Sequence, residues 1–190
     1  MDGENTADLT LWIRQSRNGH PGASDKLYAF AYDRLKGLAR RSLGSWRSND
    51  TLDPTSLVHE FFIKHTRARQ VDVEDRRHFY NLAARMMRQI MINSAKAKYA
   101  QKRHAGQVDV EFMDGMLIDV RSPENLLIVD EVLDGLEKSM PEIAEVFLYR
   151  AFARMTIDEI ADVVGVAPAT VKRRYKFARA YVMRKMEIEE

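Results

Sequence analysis

The segment 156–186 constrains the fold of this chain more than any other part, because it carries start and stop signals for two helices. Thr156 and Glu159 have the spacing of a capping box, which opens a helix. Gly165 can supply the positive backbone dihedral angle of a helix C-cap, and Pro168 suits the first position of the next helix. The sequence therefore predicts a helix-turn-helix.

The second helix of this motif is predicted to have an apolar face and a basic face. Its apolar positions fall on one helical stripe and are expected to pack inward: Val171, Tyr175, Ala178 and Val182. A second stripe and its flank are basic: Lys172, Arg173, Lys176 and Arg179. An outward basic stripe is typical of a recognition helix in the major groove of DNA. The alternative is a surface helix whose charges only interact with solvent.

The first half of the chain is predicted to form a helical bundle. Its apolar residues recur at helical rather than alternating spacing: Leu27, Phe30, Ala31, Leu35, Leu57, Val58, Phe61, Phe62, Phe79, Leu82, Ala83, Met86, Met87 and Ile90. The stretch 76–108 contains no acidic residue, and its basic residues recur near one helical stripe: Arg85, Arg88, Lys96 and Arg103. This stripe predicts a second surface for nucleic acid.

The predicted fold class is all-α, with two small helical domains over residues 1–104 and 124–190. Between them, residues 105–123 lose the helical period and contain Gly106, Gly115 and Pro123, which indicates a linker. The linker is acidic. We hypothesise that its segment 109–119 lies against the basic helices of the free protein, because carboxylates would compete there with DNA phosphates.

Three segments carry a family pattern in a fixed order along the chain. They are the sequence Leu57-Val58-His59-Glu60-Phe61-Phe62-Ile63-Lys64, the basic helix at 78–103, and the turn and helix start at 165–173. Together they resemble the extracytoplasmic-function (ECF) group of bacterial sigma factors over nearly the whole chain. By this resemblance, the first segment holds the clamp of the polymerase beta-prime subunit. The second segment opens the minus-ten promoter element, and the third reads the minus-thirty-five element.

The resemblance implies a transcription initiation factor that binds core RNA polymerase and promoter DNA, uses no cofactor or metal and is not an enzyme. The residues that it places at the polymerase clamp are Asp53, Leu57, Val58, Glu60, Phe61 and Lys64. Those that it places on promoter DNA are Arg85, Arg88, Lys96 and Arg103 in the first domain, and Thr170, Lys172, Arg173, Lys176 and Arg179 in the second.

The residues before the clamp helix depart from the commonest pattern of this group. Where many members have an acidic Asp-Ala-Glu-Asp tetrad, this chain has Asp53-Pro54-Thr55-Ser56. Residues 51–60 instead resemble a subgroup with the motif T-L-x-P-T-x-L-V-H-E, whose members are associated with serine/threonine kinases. The resemblance therefore implies a serine/threonine protein kinase as a further partner.

The same residues suit a phosphorylation switch on physical grounds. Asp53 as N-cap and Pro54 as the first helical residue would begin a helix here. Thr55 and Ser56 would then lie in the first turn, where free amides and the helix dipole favour an anion. A phosphate adds about −1.5 to −2 charge at pH 7, which roughly replaces the missing carboxylates. Thr51, Thr55 and Ser56 are candidate sites; the alternative is that the hydroxyls of Thr55 and Ser56 only cap the helix.

Other classes of function find little support in the sequence. The chain has no cysteine, and His59, Glu60 and His65 lack the spacing of a metalloprotease site. It contains no glycine-rich phosphate loop and no serine elbow. No apolar run approaches the roughly 20 residues that span a membrane, and the first residues have no apolar signal core, which predicts a cytoplasmic protein without a membrane partner. The remaining alternative is a stand-alone helix-turn-helix regulator that binds duplex DNA without polymerase.

Overall fold

The computed structural model describes residues 3–43, 58–59, 66–67, 70–71, 73–105 and 123–186. Within these ranges the chain forms seven helices: α1 (Gly3–Arg17), α2 (Ala23–Leu43), α3 (Arg76–Ala105), α4 (Pro123–Ser139), α5 (Pro141–Ala151), α6 (Ile157–Val164) and α7 (Pro168–Met186). Residues 58 and 59 are also helical. The strands β1 (Thr66–Arg67) and β2 (Gln70–Val71) pair antiparallel, with Thr66 opposite Val71. Apart from this short pair, the described residues confirm the predicted all-helical class.

Helices α1 and α2 pack against each other, and both contact the long helix α3. Apolar residues three or four positions apart bring one face of each helix into a shared core. The fully or nearly fully buried residues of this core include Leu9, Ile13, Leu27, Ala31, Leu35, Phe79, Ala83, Met87 and Met91. The methionines of α3 therefore fill the core, as expected for flexible apolar side chains. No helix among the described residues is both long and apolar enough to cross a membrane.

Helix α5 lies at the centre of the second half of the chain. It contacts α3, α4, α6 and α7, and it is buried on more than one face. Its buried side chains are Ala144, Val146, Phe147, Leu148, Tyr149 and Ala151. A helix that is apolar nearly all round can be stable only when other helices cover it. Helix α5 therefore joins α6 and α7 to the long N-terminal helix α3.

The predicted capping box and turn are present between α5 and α7. Glu159 N donates to Thr156 Oγ1 at 3.1 Å, and Thr156 N donates to Glu159 Oε2 at 2.7 Å. Both hydrogen bonds of the capping box are therefore formed. Gly165 ends α6 with a φ of 77°, and its amide donates to Ala161 O at 2.9 Å. Helix α7 begins at Pro168, as the sequence predicts.

The N-terminal and C-terminal helices meet along α3, which packs on α4 and also contacts α5 and α6. Hydrogen bonds across this contact pair side-chain hydroxyls with backbone carbonyl oxygens. The buried Ser42 hydroxyl donates to Phe152 O at 2.5 Å, and the Tyr149 hydroxyl lies 3.2 Å from Arg77 O. Buried residues of both halves belong to one continuous apolar cluster. The two halves of the chain therefore form a single packed body.

Replacing Gly165 with alanine is expected to destabilise the fold by about 1 to 2 kcal/mol, because an L-residue with a Cβ is strained at positive φ. The space around a Cβ at Gly165 is open, so the cost is conformational. Gly135→Ala is the matched control, since Gly135 also has open space but lies inside helix α4, where alanine gains about 0.5 to 1 kcal/mol. Urea unfolding of both variants measures the difference. Equal stabilities would contradict the assignment of Gly165 as the helix terminator.

Candidate nucleic-acid interface

Helix α7 has one face in the core and one in solvent, as its sequence predicts. Val171, Ala178 and Val182 are buried. The partly buried Tyr175 lies nearly parallel to the ring of Phe147 in α5, with ring centroids 6.2 Å apart. These contacts fix the rotation of α7 about its own axis. Its other face is thereby directed away from α5.

The outer face of α7 is basic. Lys172, Arg173 and Lys176 are exposed, whereas Thr170 and Arg179 are partly buried. Arg174 differs from its neighbours because it pairs with Glu142 of α5 and so joins the two helices. Phe177, 47% exposed, follows Lys176 in the helix and adds an apolar surface. The face therefore offers several cations to an anionic partner, with one aromatic ring among them.

The predicted basic stripe of α3 is only partly open to solvent. Lys96 is exposed, and Arg103 lies in α3, although its side chain is outside the described residues. Arg85 is exposed; its Nε donates to Asn81 Oδ1 at 2.7 Å, and its Nη1 is 3.2 Å from Glu137 Oε2. Arg88 is only 8% exposed. The stripe thus contains one cation that is buried against another part of the chain.

Three carboxylates of α4 surround the Arg88 guanidinium. Nε lies 2.6 Å from Asp130 Oδ1, Nη2 lies 2.5 Å from Asp134 Oδ1, and Nη1 lies 3.5 Å from Glu137 Oε1. Nη2 also donates to the carbonyl oxygen of Asp130 at 2.8 Å. Burial disfavours the charged guanidinium, but hydrogen bonds and charge from Asp134 and Asp130 outweigh it and raise the pKa of Arg88. Arg88 therefore stays charged, with its charge fully compensated inside the protein.

A second polar centre forms around Glu159, the last member of the capping box. Arg34 Nη2 and Arg41 Nη2 of α2 each lie 3.0 Å from Glu159 Oε1, and Arg34 Nε donates to Tyr80 Oη at 2.8 Å. Burial raises the pKa of Glu159, but the Thr156 amide and the two arginines outweigh that effect and lower it. The sequence predicts only a capping role for Glu159. The available signal was the seven-residue spacing of Arg34 and Arg41, which places both on one face of α2.

The residues predicted at the polymerase clamp lie mostly outside the described part of the chain. These are Asp53, Leu57, Glu60, Phe61 and Lys64, together with the candidate phosphorylation sites Thr51, Thr55 and Ser56. Val58 is described and is fully buried. His59 is exposed, with its ring edge-on to Tyr32 at a centroid distance of 6.2 Å. The acidic segment 109–119 is likewise outside the described residues.

Comparison with known families decides between the two kinds of DNA-binding protein that the sequence allowed. A family model described as ECF sigma factor matches residues 6–188, which is nearly the whole chain. The chain belongs to the ECF sigma factor family. Neither the comparison with curated proteins nor that with solved structures found a match.

Membership of this family confirms the resemblance to ECF sigma factors and assigns the chain to transcription initiation. ECF sigma factors bind core RNA polymerase and promoter DNA, and they are regulatory proteins rather than enzymes. The basic faces of α3 and α7 are thus found in a protein whose family contacts DNA. The kinase-associated subgroup and the roles of individual residues remain predictions.

The Glu159 centre predicts a pH-dependent stability. A carboxyl group whose pKa is lowered on folding stabilises the fold above its unfolded pKa, and that contribution is lost as the pH falls through the folded pKa. Glu159→Gln keeps the capping hydrogen bonds but removes the charge that Arg34 and Arg41 share. We expect it to cost about 1 kcal/mol at pH 7 after allowance for solvent screening. The cost should shrink below pH 4.5, the ordinary pKa of the group.

Urea unfolding between pH 7 and pH 3 measures this difference. Glu131→Gln is the control, because Glu131 is exposed on α4 and its replacement should change the stability by less than about 0.5 kcal/mol at any pH. A Glu159→Gln cost that is independent of pH would show that the charge of Glu159 is not what the arginines stabilise.

Proposed function

We propose that this ECF sigma factor directs core RNA polymerase to promoters through two DNA-binding surfaces. Helix α7 contacts the minus-thirty-five element, and helix α3 contacts and opens the minus-ten element. The observation that carries the proposal is the rotation of α7, which buries Val171, Ala178 and Val182 and leaves Lys172 and Lys176 in solvent. A helix held in this way presents its cations to a DNA groove without any rearrangement of the protein core.

Helices α6 and α7 act in this proposal as a helix-turn-helix. The capping box and Gly165 fix the angle between them, and α5 supports both from behind. Thr170, Lys172, Arg173, Lys176 and Arg179 are the residues that we place on DNA. The chain then has two functional domains, residues 1–104 and 124–190, with residues 105–123 as an acidic linker between them.

Helix α3 supplies the second surface. Arg85, Lys96 and Arg103 lie on one side of the helix over about five turns. Arg88 is three positions after Arg85 and therefore lies near the same side. Because no acid occurs in α3, nothing on that helix opposes an approaching phosphate backbone. The four basic residues would guide the DNA strands that separate at the minus-ten element.

Polymerase binding is proposed to depend on phosphorylation before the clamp helix. Asp53, Leu57, Val58, Glu60, Phe61 and Lys64 are the residues that we place on the clamp. The chain lacks the acidic tetrad at 53–56, and Thr51, Thr55 and Ser56 are hydroxyl residues at or next to these positions. A phosphate from a serine/threonine kinase would restore the missing negative charge.

The variant Lys172→Ala/Lys176→Ala tests the role of α7. We expect promoter-dependent transcription to fall at least about tenfold, because each lost phosphate or base contact weakens DNA binding. The measurement is run-off transcription by core polymerase with the factor, on genomic fragments selected by the wild-type complex. Lys138→Ala is the matched control, since Lys138 is an exposed lysine on α4. Equal activity of the double variant and the control would exclude α7 from promoter binding.

Pull-down of core polymerase tests the phosphorylation switch. Thr51→Glu and Thr55→Glu supply part of a phosphate's charge, so one of them is expected to retain at least about threefold more polymerase than wild type. Thr51→Ala and Thr55→Ala, the paired controls, should not exceed wild type. If all five proteins bind equally well, the switch is wrong; if none binds, the proposed activation by charge at Thr51 or Thr55 is wrong as well.

A further inference from the structure

Helix α7 carries an exposed aromatic ring that the core does not use. Phe177 is 47% exposed. Three other phenylalanines among the described residues are at most 1% exposed: Phe79, Phe147 and Phe152. The tyrosines on either side of Phe177 in α7, Tyr175 and Tyr181, both pack against the apolar core. Single apolar residues are common on protein surfaces, so the position of Phe177 matters more than its exposure.

Phe177 lies in line with residues that the proposed function places on promoter DNA. It is seven positions after Thr170 and four after Arg173, and these spacings put the three side chains on one stripe of α7. Seven positions correspond to a rise of about 10.5 Å along the helix axis. That rise equals about three base pairs of DNA at 3.4 Å per pair. Side chains of this stripe therefore reach neighbouring base pairs of one binding site.

The charges around Phe177 match a nucleic acid. Lys172, Arg173 and Lys176 are exposed within five positions of the ring, and no acidic residue occurs in α7. Contacts between such cations and phosphates hold a helix on DNA but do not distinguish one base sequence from another. The phenylalanine ring has no hydrogen-bond donor for a phosphate. It is therefore the side chain of this face that is suited to the edge of a base.

One group on the base edges of the major groove is apolar. Thymine presents its C5 methyl group there, whereas adenine, guanine and cytosine present hydrogen-bond donors and acceptors. Apolar side chains, phenylalanine among them, contact this methyl group. Arg173 and Lys176 carry hydrogen-bond donors only, which pair with the acceptors of guanine or with phosphates. The ring and the cations thus select different groups on DNA.

We propose that Phe177 is a specificity-determining residue that reads a thymine methyl group in the minus-thirty-five element. The ring packs against the methyl group in the major groove, while the lysines of α7 hold the phosphates beside it. The element accordingly contains a favoured thymine at one or two neighbouring positions. This inference rests on the proposed function, because it requires α7 to lie in the groove of that element.

Replacement of thymine by uracil tests the contact, because it removes the methyl group and leaves the base-pairing edge unchanged. The parent DNA is a promoter fragment selected by the wild-type complex, and each thymine of its upstream element is changed singly to uracil. The measurement is binding of core polymerase with the factor, by competition of each fragment against the labelled parent. We expect uracil to weaken binding about fourfold at one or two positions, as for the loss of one methyl-sized apolar contact. Phe177→Ala should bind the thymine and uracil fragments equally.

Met183→Ala is the matched control. Met183 is 42% exposed, so this variant removes another exposed apolar side chain from the same helix. It lies six positions after Phe177, which places it about 9 Å farther along α7 and about 120° around the axis. We expect Met183→Ala to keep the full preference for thymine. Phe177→Leu keeps an apolar side chain at the proposed contact and should retain part of the preference.

Methylated cytosine separates the methyl group from the other properties of thymine. At each position where uracil weakens binding, a C·G pair replaces the T·A pair, and 5-methylcytosine then returns the methyl group to the same place in the groove. We expect this methylation to strengthen binding of the wild-type complex about fourfold and to leave the Phe177→Ala complex unchanged.

Three results would overturn the proposal. They are an upstream element without thymine, uracil fragments that all bind as well as the parent, and a thymine preference that persists in Phe177→Ala. The last result, together with weaker binding to every fragment, would place the ring against polymerase instead of DNA.

The variant Lys172→Ala/Lys176→Ala, measured on the same fragments, separates this inference from the proposed function. If its binding to the parent fragment equals that of wild type, α7 does not contact the promoter and both claims are wrong. If its binding is weaker but the thymine preference does not depend on Phe177, only the reading of the methyl group is wrong.

Discussion

The burial of one guanidinium group determines how the two halves of this molecule are held together. Arg88 lies in the contact between α3 and α4, where it is removed from water and must be compensated by carboxylates of the opposite helix. A buried charge that loses its partners is costly, so the contact depends on these acids. The apolar cluster supplies the area of the contact, whereas Arg88 decides which faces of α3 and α4 meet.

This arrangement divides the cations of the chain into two groups. An ECF sigma factor binds promoter DNA, and the strongest cations for that purpose are arginines. In this chain several arginines of the N-terminal half, Arg77 and Arg88 among them, pair with acids of the C-terminal half, while the lysines of α7 remain in solvent. The lysines of α7 are therefore open to solvent, whereas the arginines of α3 are partly held by acids of the C-terminal half.

The local parts of the fold could be predicted from the sequence, because their signals lie within one or two helical turns. The capping box at Thr156, the left-handed Gly165 and the inward face of α7 are all found as expected. The ion pairs between the halves could not be predicted, since Arg88 and Asp130 are 42 residues apart and Arg34 and Glu159 are 125 apart. Helical periodicity placed Arg88 on a polar stripe, but it cannot tell a solvent-facing cation from one that another helix covers.

If α3 and α7 bind the two promoter elements as proposed, these helices lie farther apart in the bound factor than in the free factor. The chain has no cysteine, so Gln89→Cys/Ala180→Cys introduces dye positions at two exposed sites, one on each helix. We expect high energy transfer between the dyes in the free factor and low transfer when the factor is bound to core polymerase on promoter DNA. Equal transfer in the two states, or low transfer in the free factor, would contradict it.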